Sequence, residues 1–66
     1  MTMTTYLVAP GMTSDAAAEL ALANGCGGYY LSIPPVWQDV AASQGWTYPC
    51  IVTLGEDGLV ASWTPV

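Results

Sequence analysis

Lysine, arginine and histidine are all missing from this chain, and so is phenylalanine. The acids are Asp15, Glu19, Asp39, Glu56 and Asp57, which set the net charge at −5. No side-chain salt bridge can therefore form within the molecule, and each carboxylate must be solvated or held by backbone N–H groups. A side-chain cation can reach them only from another molecule. The same absence argues against direct nucleic-acid binding, which rests on neutralising phosphates with Lys and Arg. An anionic membrane surface is equally unattractive. No apolar run approaches the ~18 residues of a spanning helix, and no basic segment opens the chain, so no secretory signal is read. Cysteine is scarce, with only Cys26 and Cys50. Two thiols do not define a disulfide framework, and four-ligand zinc fails for lack of histidine and further cysteines. Gly25 and Gly27-Gly28 read as a loop, not a phosphate cradle, because no G-x-G-x-x-G follows a strand. No cofactor is expected.

What is present suffices for a small core. Of the 66 residues, 53% are hydrophobic, and three Trp and four Tyr supply the aromatics. That argues against disorder and for a single domain over residues 1–66, although a domain this size buries only about 60% of its unfolded surface. The clearest local signal is at Tyr48–Trp63. The β-rich runs Cys50–Leu54 and Leu59–Trp63 flank Gly55-Glu56-Asp57-Gly58, with Gly58 free to take a positive φ. Placing Leu54 opposite Leu59 puts Cys50, Val52, Leu54, Leu59, Ala61 and Trp63 on one face, and Ile51, Thr53, Val60, Ser62 and Thr64 on the other. A one-residue slip mixes the sets, so this register is expected. Pro49 cannot donate to a ladder, and the strand begins after it.

Upstream, Met1–Thr4 reads as a frayed start. Thr5–Ala9 reads as a buried strand ended by Pro10-Gly11. Thr13 or Ser14 can cap a helix over Asp15–Ala23, with Asp15 in its positive first turn and Asn24-Gly25 as its stop. The like-charged pair Asp15 and Glu19, four apart, does not help that helix. Tyr29–Ile33 reads as a second strand. Pro34-Pro35 opens a short helix closed by Gly45. Its Val36, Trp37, Val40 and Ala41 are expected on the buried face, with Gln38, Asp39, Ala42 and Ser43 opposite. The predicted order is β-α-β-α-β-β, with a parallel βαβ unit and the hairpin added antiparallel, giving a four-stranded mixed α/β sheet.

Three segments carry a resemblance to a known family. Tyr6-Leu7-Val8-Ala9-Pro10-Gly11 leads into a capped helix. Gln44-Gly45-Trp46-Thr47-Tyr48-Pro49-Cys50-Ile51-Val52 looks like a helix end, loop, cis-proline and strand. The Gly55–Gly58 turn with Val60-Ala61-Ser62-Trp63 looks like a closing hairpin. In this order they resemble the thioredoxin/glutaredoxin superfamily, nearest to the small glutaredoxin-like electron donors of ribonucleotide reductase. The resemblance spans nearly the whole chain and implies a thioredoxin-like fold.

The departures decide what the resemblance implies for function. Where the family carries Cys-x-x-Cys before the first helix, with the helix N-terminus lowering a thiol pKa, this sequence has Met12 and Asp15. A thioether cannot attack a disulfide, and a carboxylate cannot resolve one. Met12, Asp15, Pro49 and Cys50 are thus the positions of a degenerate redox site. The family also closes with a helix beside the first one, whereas here Thr64-Pro65-Val66 stands where that helix would begin. Part of a sheet face carrying Trp63 is then expected to lie open, and an exposed apolar patch marks an interaction surface. Trp63, Pro65 and Val66 are the interface candidates.

Other residues take plainer readings. Cys50 is either a relocated single thiol or a small core hydrophobe, and with no cationic side chain to stabilise a thiolate the core reading is preferred. Cys26 and Cys50 should begin their strands at opposite ends of the sheet. Bridgeable Cα atoms lie within about 7 Å, so no disulfide is expected. Glu56-Asp57 is the polar tip of a hairpin, and nothing completes a metal shell. Trp37 and Trp46 read as core and loop-packing residues.

The function expected is a non-catalytic binding or structural module acting through a protein partner or self-association. Phages commonly carry glutaredoxin-like genes, so a small acidic chain without redox residues suits a virion accessory or capsid-decorating subunit, located in the virion or the host cytoplasm. Its acidic surface suits a basic partner. The alternative is a monothiol redox protein using Cys50. An acidic mimic of nucleic acid fits less well, because its carboxylates are scattered over several elements.

Overall fold

A computed structural model describes residues 3–66. The elements are β1 (Thr4–Val8), α1 (Ser14–Ala23), β2 (Gly28–Tyr30), α2 (Pro35–Gln44), β3 (Cys50–Leu54) and β4 (Val60–Pro65). The β-α-β-α-β-β order is as predicted. The strands form one mixed sheet in the order β2-β1-β3-β4. β1 and β2 run parallel, while β3 is antiparallel to both β1 and β4. Met1 and Thr2, part of the expected frayed start, lie outside the described residues, and Thr4 already belongs to β1. The second strand ends at Tyr30, short of the predicted Ile33, because the chain bends at Leu31-Ser32 ahead of Pro34-Pro35.

The helices pack on opposite faces of the sheet. Alternation along β1 sends Leu7 and Ala9 to α1, where they bury against Ala17 and Ala21 with Met12, Leu20, Cys26, Tyr29 and Ile51 around them. Val8 faces α2 and joins Trp37, Ala41, Trp46, Cys50 and Val52, flanked by Tyr6, Leu54, Val60 and Trp63. α1 starts at Thr13, whose Oγ1 accepts from Ala16 N–H at 3.3 Å. It ends in a Schellman motif, with Gly25 N–H bonded to Leu22 O and Cys26 N–H to Ala21 O. α2 ends at Gly45 in the left-handed conformation, and Trp46 N–H returns to Ala41 O at 3.1 Å. That turn carries the Trp46 indole into the core.

Two burial expectations are corrected. Val36 was expected on the buried face of α2, but it is 83% exposed. Trp37 and Ala41, four apart, form the centre of the buried stripe, and Val36 falls at its margin. The hairpin register also differs. Gly55 N–H donates to Leu59 O, leaving a three-residue loop, Glu56-Asp57-Gly58, with Gly58 at φ 79° as expected. Leu54 therefore pairs with Val60, not Leu59, and the ladder then skips Ala61 so that Thr53 meets Ser62 and Val52 meets Trp63. This β-bulge lets Val60 and Trp63, an odd number of residues apart, both reach the α2 side, while Leu59 stays 67% exposed.

Candidate functional site

The register places Cys50 opposite Val8 and Pro65 opposite Cys50, and Val66 N–H donates to Pro49 O at 3.0 Å. Pro49, Cys50, Pro65 and Val66 therefore share one end of the sheet with the Ala9–Thr13 loop and the N-terminus of α1. The Tyr48–Pro49 peptide is cis. Met12, Asp15, Pro49 and Cys50, the four positions singled out by the family resemblance, all lie at this end, yet their side chains diverge. Met12 packs on the α1 side, whereas Cys50 points into the α2 core with no exposed surface. Asp15 is exposed in the first turn of α1. Burial pushes the Cys50 thiol above its ordinary pKa of 9.0. The Cys26 thiol is also raised by desolvation, partly offset by a hydrogen bond with the Thr5 side chain. A protonated, enclosed thiol is a poor nucleophile.

Both cysteines are free. Gly27 N–H donates to Thr5 O, which puts Cys26 at the Thr5 end of β1 and Cys50 at the Val8 end. Three residue steps along a strand span about 10 Å, and the two side chains lie on opposite sides of the sheet. The geometry keeps them from bridging.

Trp63 was expected on an open face and is instead half-buried on the α2 side, its ring 6.0 Å from that of Trp46. The helix-free α1 side of β3 and β4 carries Thr53, Ser62 and Thr64 instead, so the patch expected there is polar rather than apolar. The strand alternation follows from Thr53↔Ser62 and Ile51↔Thr64, with Ile51 packed toward α1. Pro65 and Val66, the other two interface candidates, are exposed. Trp37 and Trp46 are core, as expected.

The apolar surface lies elsewhere. A groove of about 260 Å³ runs between α2 and the hairpin, lined by Val36, Trp37, Val40, Gly58, Leu59 and Val60. Sequence reasoning assigned Val36 and Leu59 to the core and so missed it. Turn chemistry leaves both a three- and a four-residue loop open at Gly55–Gly58, and the observed Gly55–Leu59 closing pair leaves Leu59 outside. A neighbouring recess lined by Glu56 and Asp57 shares Leu59 and Val60 with the groove, so the acidic tip borders it directly. The Asp57 carboxylate accepts from Leu59 N–H at 3.0 Å.

These features define a small α/β domain with a four-stranded mixed sheet and two helices. No helix among the described residues is long and apolar enough to cross a membrane. No family model, curated protein or solved structure matches the chain.

Proposed function

We propose that this chain is a non-catalytic binding module on a thioredoxin/glutaredoxin-like scaffold, acting through protein–protein contacts. The observation that carries the reading is the chemistry at the sheet end holding Met12, Asp15, Pro49 and Cys50. Met12 and Asp15 offer a thioether and a carboxylate, and the one thiol at this end is buried on the opposite side of the sheet from Met12. The element order and the mixed sheet support the scaffold assignment. Small size and uniform negative charge suit an accessory subunit of a larger assembly, such as a virion, whose partner supplies the cations.

Per-residue alkylation with iodoacetamide, followed by mass spectrometry, tests the reading against a monothiol redox role. Cys50 should react at least about tenfold more slowly at neutral pH than a free small-molecule thiol, consistent with its burial and raised pKa. A rate equal to or above that of the free thiol would establish a reactive thiolate and favour the redox alternative. A second arm is light scattering at several concentrations with capture from virion and host-cell extracts. A monomer that retains no protein would argue against the module.

A further inference from the structure

The groove between α2 and the hairpin combines two features. It exposes Val36 and Leu59, aliphatic side chains from elements far apart in sequence that converge on one cleft. It is also bordered by Glu56 and Asp57, two of the five carboxylates in a chain without Lys, Arg or His. No side chain of this molecule can neutralise them. At about 260 Å³ the groove is smaller than the ~300–1,000 Å³ typical of small-molecule sites. It has the size for an anchoring side chain with neighbouring contacts on the rim.

We infer that this groove docks a basic amphipathic segment of a partner protein. One aliphatic side chain of the partner sits among Val36, Val40 and Leu59, and flanking Lys or Arg side chains meet Glu56 and Asp57. This rests on the binding-module reading and assigns that module's surface and the chemistry of its partner. Charge decides between the possible occupants. A second copy would set an identical acidic rim against this one with no cation between them, and like charges facing each other across an interface oppose association. A basic segment supplies the missing cations, and its apolar anchor covers the aliphatic wall.

The test is an NMR titration of the ¹⁵N-labelled chain with a synthetic helical peptide carrying leucines at i, i+3 and i+4 spacing and lysines elsewhere. Two control peptides replace the lysines by glutamate or the leucines by serine. Saturable binding with a Kd between about 10 μM and 1 mM is expected. Shift changes should concentrate at Val36, Val40, Gly58–Val60 and the Trp37 indole, and both controls should bind at least about tenfold more weakly. Leu59→Ser and Val36→Ser alter exposed side chains, so an unchanged spectrum elsewhere verifies the fold. Each should weaken binding about tenfold, as should Glu56→Gln combined with Asp57→Asn.

Several outcomes overturn the inference. One is absence of saturable binding at about 1 mM peptide. Another is shifts centred on Asp15 and Glu19 of α1. The others are equal affinity for a control peptide and indifference to Leu59→Ser and Val36→Ser. None of these touches the non-catalytic reading, which the Cys50 alkylation rate tests separately.

Discussion

Cys50 and Gly28 show how single residues set this fold's tolerances. Burial raises the Cys50 thiol above its ordinary 9.0, and Cys26 and Tyr48 are raised in the same direction, chiefly by desolvation. The folded state therefore holds protons that the unfolded state has begun to release. Stability is fully present below about pH 9 and falls as pH rises through the folded-state values. Denaturant unfolding between pH 7 and 10.5 should show this decline, and Cys50→Ala should make it shallower. A Cys50→Ala slope equal to or steeper than wild type would mean that the thiol titrates alike in the folded and unfolded states. Gly28 pairs with Tyr6, and a Cβ added there would lie 3.2–3.3 Å from the Tyr6 ring. That ring is hemmed in by Tyr30 and Trp37 at centroid distances of 5.5 and 6.4 Å. Gly28→Ala should therefore destabilise by about 1–3 kcal/mol, as overpacking does, and a neutral result in urea would show that the aromatic cluster can give way.

Among the elements, the hairpin and α1 have different weak points. Gly58 closes the hairpin at φ 79°, and a Cβ there would meet nothing within 4 Å. The penalty for Gly58→Ala is thus purely conformational, about 1–2 kcal/mol, without loss of the groove's apolar wall. Circular dichroism melts should detect it, and an unchanged midpoint would mean that the loop reaches another turn type without cost. In α1, Thr13→Ala removes the side-chain bond to Ala16 N–H. An exposed cap bond of 3.3 Å belongs at the low end of the ~0.5–2 kcal/mol range for caps, measurable as a small drop in the urea midpoint. A loss well above 2 kcal/mol would point to a packing role for Thr13 that its exposure does not suggest. The hairpin also shows where reading by pattern stops. Its existence, its first strand and the positive φ of Gly58 were legible from turn chemistry. Its pairing was not, because alternation assumes an unbroken ladder and the bulge at Ala61 breaks it. For the same reason the pattern placed Leu59 in the core and the groove went unseen.

The whole molecule is a small acidic body, 29 × 28 × 17 Å, whose carboxylates have no cationic side chain to pair with. Asp15 and Glu19, four apart on α1, and the adjacent Glu56 and Asp57 each lie within the ~10 Å screening length of 0.1 M salt. Added salt should therefore stabilise the fold by weakening self-repulsion. Raising NaCl from 10 mM to 0.5 M should lift Tm by about 3 °C or more, on a scale where 1 kcal/mol moves a domain this small by roughly 4–8 °C. A falling Tm would require an attractive pair that the side chains cannot form.

The sequence by itself determined the order of elements, the caps and stops, the absence of internal ion pairs and the lack of a nucleophile at Met12 and Asp15. All of these depend on residue type and near neighbours. Tertiary structure alone decided which side of the sheet each residue reached. It set Cys50 and Met12 back to back, drew Trp63 onto Trp46, and left Val36 and Leu59 exposed beside the acids. Those outcomes depend on strand register and on the helices lying on opposite faces. Register is settled by the closing geometry of the hairpin and by packing across the sheet, neither of which periodicity along one segment encodes.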